Sequence, residues 1–117
     1  MGKKIALGLI RDLFFRSKLD AVAESLGVEV LYASTLETAA RQCAGHHPAL
    51  VLADLSDASF PANETIAQTR VHAPDARIVG FASHVDLKLL NAARKAGFDL
   101  TLSRSEFTAR LAELLSL

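Results

Sequence analysis

Six side chains in this 117-residue sequence are of types that do chemistry and stand beside apolar runs: Arg11 and Asp12, Asp54, Ser83 and His84, and Arg104. Asp54 is the most informative. It closes the uninterrupted apolar run Ala49-Leu-Val-Leu-Ala53, where an ionised carboxylate loses hydration unless another group compensates it. A structural reading makes Asp54 a turn or helix cap through Asp54-Leu-Ser-Asp57. Ser83-His84-Val85-Asp86 holds the residue types of a hydrolytic triad, but contiguous loop residues rarely converge and no Gly-x-Ser-x-Gly elbow is present. That stretch reads as a helix start, with Ser83 or His84 near the N-cap, Asp86 in the first turn, and His84 free to line a crevice and contact an anion or a partner. No catalytic residue is expected, and the protein is read as a non-enzyme.

Metals and cofactors are not expected either. His46-His47 offers two adjacent imidazoles without further ligands and reads as a solvated helix end, as does His72. Cys43 stands alone and reads as a small buried helix residue. The six glycines form neither Gly-x-Gly-x-x-Gly nor Gly-x-x-x-x-Gly-Lys, which disfavours the usual nucleotide-binding loops.

With 13 basic against 13 acidic side chains, the chain lacks the basic excess of a nucleic-acid binder. Its apolar runs fall short of the roughly 20 residues of a membrane helix, and no cleavage site follows the start, so a cytoplasmic protein is expected. Gly2 begins a myristoylation-like pattern that Ala6 breaks. Half of the residues are hydrophobic, and a chain this size buries roughly two-thirds of its unfolded surface, enough for a core without disulfides. One domain over residues 1–117 is expected, without repeat or linker.

The elements that must position these groups alternate between short apolar strands and amphipathic helices, the pattern of an α/β protein with a parallel sheet covered on both faces. Strands are expected at Lys4 to Ile10, Val28 to Tyr32, Ala49 to Ala53, Arg77 to Ala82 and Leu100 to Leu102. Helices are expected from Leu13 to Leu26, after a Ser34-Thr-Leu-Glu37 capping box to Gly45, from Ala62 to Val71, from Val85 to Ala96, and after a Ser103-Arg-Ser-Glu106 capping box to Leu115. Gly27 and Gly97 mark helix ends. Adjacent Phe14 and Phe15 lie about 100° apart on the first helix; both are expected in the core, the alternative being one exposed as a protein contact. In an open doubly wound sheet ligands approach the carboxyl ends of the strands, which is where the loops carrying all six residues fall.

The order of units, the placement of Leu50-Val-Leu-Ala-Asp54-Leu55, the Lys95-Ala-Gly-Phe98 stretch and the basic residue seven positions past Gly97 resemble the receiver domain of two-component response regulators, over essentially the whole chain. The resemblance implies a flavodoxin-like (βα)5 fold, a five-stranded parallel sheet in the order 2-1-3-4-5, and a role in two-component signal transduction or a phosphorelay. It places the phosphoacceptor on Asp54 and the two magnesium-holding acids on Ile10 and Arg11, neither of which is acidic; Asp12 is one residue displaced. The hydroxyl position falls on Ala82 with Ser83 beside it, the lysine-proline pair on Arg104-Ser105, and the aromatic switch on Thr101. Aspartyl phosphorylation needs a divalent ion, whereas arginine supplies a permanent cation. The expectation is therefore a degenerate, pseudo-receiver-like module acting by protein docking, with Arg11, Arg104 or both neutralising Asp54. Two alternatives stand beside it: an atypical phosphoacceptor using Asp54, reached by metal through Asp12 while Arg11 points into solvent, and an anion or small-molecule site formed by Arg11, Ser83, His84 and Arg104. Receivers commonly meet partners through the fourth helix, fifth strand and fifth helix, so that face is expected to form the partner contact or a homodimer.

Overall fold

The computed structural model describes residues 3–117, so Gly2 and its partial lipidation pattern lie outside the described residues. In chain order the elements are β1 (Ile5–Leu9), α1 (Leu13–Leu26), β2 (Glu29–Tyr32), α2 (Leu36–His46), β3 (Leu50–Asp54), α3 (Ala62–His72), β4 (Arg77–Ala82), α4 (Leu87–Ala96), β5 (Leu100–Ser103), α5 (Arg104–Ala109) and α6 (Leu111–Leu115). All strand pairings are parallel, in the order β2-β1-β3-β4-β5. This is the expected flavodoxin-like sheet. Every residue of the central strand β3 is buried because helices cover both its faces.

One core layer packs α2, α3 and α4 on the sheet through Cys43, Phe60, Ile66, Leu90 and Phe98. The other packs α1, α5 and α6 through Phe15, Leu19, Phe107, Leu111 and Leu114. Gly80 lets the first layer close: a Cβ there would stand 2.7 Å from Leu55 Cδ1 and 2.9 Å from Phe98 Cδ2. No helix of the described residues is long and apolar enough to cross a membrane.

Several local expectations are corrected. Thr35, not Ser34, caps α2 by accepting from the Thr38 amide at 3.1 Å, and the Ser34 hydroxyl instead accepts from Arg16 Nη2. The capping box at Ser103 and Glu106 does form. The helix it opens is interrupted at Arg110, which separates α5 from α6. Helix α4 starts two residues later than expected: Asp86 is its N-cap, without a side-chain cap bond, rather than a first-turn residue. Phe15 is buried but Phe14 is 72% exposed, with Lys18 Nζ 5.0 Å from its ring centre. Phe15 shares the helix face of the buried Leu19 and Ala23, and Phe14, about 100° round at the first turn, falls off that face.

Candidate functional site

The carboxyl ends of β1, β3, β4 and β5 converge on Asp54, which is 7% exposed and pairs in register with Phe81 of β4. One oxygen, Oδ1, accepts from the Ser56 amide at 3.1 Å; the other, Oδ2, faces Nη2 of Arg104 at 3.5 Å. Burial pushes the Asp54 carboxyl above its ordinary range, and the opposing pulls of the Arg104 guanidinium and the Ser56 amide do not fully offset it. A single long contact from a half-exposed side chain is a weak counter-ion.

Arg104 leaves the first turn of α5 above three stacked aromatic rings. Phe15, Phe81 and Phe107 come from α1, β4 and α5, with centroids 4.0 to 5.7 Å apart. The guanidinium carbon lies 5.5 Å from the ring centres of both Phe15 and Phe81, within cation–π range. These rings hold the guanidinium beside Asp54. The aromatic support was not legible from spacing, since the three residues are far apart in the chain and meet only through packing of α1 and α5 on β4.

Arg11 does not reach Asp54. Its Nη1 stands 3.6 Å from Asp57 Oδ1 and donates to the Ser59 hydroxyl at 3.1 Å, at an exposed position. In the sequence Asp57 stands only as the end of the Asp54-Leu-Ser-Asp57 turn, with no expected pairing to Arg11. Its signal there is short-range: a carboxylate two residues before Ser59, whose amide it accepts at 2.8 Å. Burial works against the charged form of Asp57, but the Ser59 amide and hydroxyl and the Arg11 guanidinium together hold its carboxyl below the usual range.

Asp12 turns away from the crevice. Its Oδ1 accepts from the Phe14 and Phe15 amides at 2.9 and 3.2 Å, capping α1. Ser83 is half-buried and its hydroxyl makes one long contact, 3.4 Å from the Val85 amide; His84 beside it is exposed. Ser83, His84 and Arg104 line a common groove, whereas Arg11 and Asp12 lie outside it. His46 ends α2 and His47 is its left-handed cap, both exposed.

A magnesium ion takes oxygen ligands in near-octahedral geometry, usually one or two carboxylates with phosphate oxygens and waters. The donor set here does not fit one. Asp54 and Asp57 each face an arginine, Asp12 caps a helix, and fully buried Ile10 closes the end of β1. Among the described residues no three His, Cys, Asp or Glu side chains are grouped to hold a metal.

No family model matches the sequence, and no curated protein matches it. The fold is nevertheless shared with solved response regulators. A response regulator from Hahella chejuensis superimposes with a TM-score of 0.85 at 15% identity, over 97% of this chain and 93% of that one. The chemotaxis response regulator CheY4 of Vibrio cholerae gives 0.81 at 13% identity, over 98% of each chain. The receiver domain of a sensor histidine kinase from Pseudomonas aeruginosa, with a magnesium ion coordinated in its active site cleft, gives 0.77 at 14% identity over 99% of this chain and 100% of that one. The chain thus has the receiver fold that the resemblance implied.

Proposed function

We propose that this chain is a receiver-like signalling module that works by docking to another protein and does not use magnesium-dependent aspartyl phosphorylation. The observation that carries the reading is the end of β1, where fully buried Ile10 and the helix-capping Asp12 offer no carboxylate to share a cation with Asp54, the phosphoacceptor-equivalent position, while the Arg104 guanidinium stands 3.5 Å from that acid. Transfer of a phosphoryl group requires a metal cation bridging its oxygens, and a guanidinium at this distance balances Asp54 only in part and offers no coordination site. The contrast with the magnesium-holding cleft of the Pseudomonas aeruginosa receiver domain lies in the donors. Here the first-strand positions are Ile10 and Arg11, and Asp12 is engaged by α1. The atypical phosphoacceptor reading needs Asp12 turned into the crevice, and its cap contacts oppose that.

Docking is favoured by apolar side chains left exposed around the strand ends. Val85 and Leu87 are 73% and 63% exposed at the entry to α4, while Leu13 and Phe14 are exposed at the entry to α1. On the face formed by α4, β5, α5 and α6, the apolar residues Phe107, Leu111 and Leu114 belong to the core, so Leu87 and Leu89 carry its partner contact, with a protein partner or a second copy.

Incubation with acetyl phosphate and Mg²⁺ followed by intact mass, and with beryllofluoride and Mg²⁺ followed by amide chemical shifts, tests the reading. Unchanged mass and unchanged shifts at Asp54 and Ser56 are expected. Stoichiometric modification of Asp54 would overturn it.

A further inference from the structure

We infer that the groove beside Arg104 binds a small organic anion, with a carboxylate or phosphate-ester head, and that its occupant draws the guanidinium away from Asp54. The exchange rests on the reading of Arg104 as the counter-ion of Asp54. The groove itself stands on separate observations.

A cavity of about 530 Å³ opens between the β4–α4 loop and α5, lined by Ser83, His84, Arg104, Ser105, Thr108 and Ala109. That volume is within the range of small-molecule sites. None of the lining residues is acidic, and the guanidinium is the fixed charge on its wall. Asp54 lies outside the lining, so Arg104 is the residue shared between acid and cavity.

The donors facing this space are under-used. A guanidinium carries five N–H groups in a planar fork, suited to bidentate capture of an oxyanion. Arg104 makes one side-chain hydrogen bond to protein among the described residues, the 3.5 Å contact with Asp54. The Ser83 hydroxyl has its single 3.4 Å contact, and the Ser105 hydroxyl shares a 3.3 Å contact with Ser103. The Thr108 hydroxyl is turned back onto the Arg104 carbonyl at 2.9 Å, which leaves its methyl group and Ala109 as the carbon side of the cavity. Guanidinium and hydroxyl groups set among carbon surface in one lining suit a charged head on a compact organic body. A bidentate pair with that head outcompetes one long contact to Asp54, and linkage makes the competition reciprocal: whatever removes the Asp54 charge strengthens the anion.

The full chain, free of divalent ions, is titrated with phenyl phosphate and separately with benzoate while amide shifts are followed. Saturable shifts at Ser83, His84, Ser105 and Thr108 are expected with at least one probe, and the better probe identifies the head group. Arg104→Gln should weaken that binding by at least about tenfold. Asp54→Asn should tighten it severalfold. Absence of saturation by both probes, or equal binding by the folded Arg104→Gln variant, overturns the anion site. Binding that is lost in Arg104→Gln but unchanged in Asp54→Asn overturns the exchange and, with it, the counter-ion reading alone.

Discussion

Asp54 and Arg104 are 50 residues apart in the chain, yet they meet at 3.5 Å where β3 and β5 end side by side with β4. The pairing is incomplete: burial still holds the Asp54 carboxyl above its ordinary value of 3.8 despite the guanidinium. A group whose pKa is raised by folding favours the folded state when protonated, so this contribution is present below the unfolded pKa and lost as pH rises through the folded one. Asp54→Asn should therefore have a higher unfolding midpoint than the parent at pH 7. The advantage should shrink as pH falls through the Asp54 titration and vanish below about pH 4. Thermal melts across that range check it, and a lower midpoint for Asp54→Asn at neutral pH would show that Arg104 more than compensates the buried charge.

Arg11 keeps a cation over Asp57 at the mouth of the same crevice. Replacing it, Arg11→Asp, sets a carboxylate against Asp57 and should produce a protein destabilised by repulsion without metal. Mg²⁺ should then raise its midpoint, by about 2.7 kcal/mol in stability at a hundredfold excess over Kd. The parent should not respond. Melts with and without Mg²⁺ decide this, and an equal response from both proteins would show that Arg11 does not control ion access.

The two adjacent phenylalanines should respond in opposite ways. Phe15 stacks on Phe81 and Phe107, so Phe15→Ala should cost about 3–5 kcal/mol in denaturant unfolding. Phe14 is exposed, so Phe14→Ala should change stability by no more than about 0.5 kcal/mol while weakening partner capture or self-association. Light scattering at high concentration follows the second effect.

Two glycines divide in the same manner. At Gly80 an added methyl meets Leu55 and Phe98 inside van der Waals contact, so Gly80→Ala should cost about 1–3 kcal/mol. Gly45 lies in α2 with nothing within 4 Å of an added Cβ, and Gly45→Ala should stabilise by about 0.4–1 kcal/mol. Chemical denaturation of both variants measures the pair.

Much of the fold was legible because its signals are local. Apolar runs of about five residues alternating with amphipathic stretches, closed by Gly27 and Gly97 at φ 69° and 109°, identify strands, helices and their stops without reference to anything distant. The errors are local competitions between equivalent groups. Ser34 and Thr35 both suit an N-cap; Thr35 takes that place, and Ser34 accepts from Arg16 of α1 instead.

The candidate site divides along the same line. Sequence by itself determined that a lone acid ends the central strand, that the first strand ends without acids, and that arginines stand near both. Which arginine meets the acid was decided by tertiary packing. Arg11 is held outward by Asp57 and Ser59, while Arg104 is laid beside Asp54 by rings contributed from α1 and β4. Residue type and the succession of strands and helices are written along the chain, but the direction of a long flexible side chain depends on partners brought from distant segments, and those are fixed only when the helices pack on the sheet.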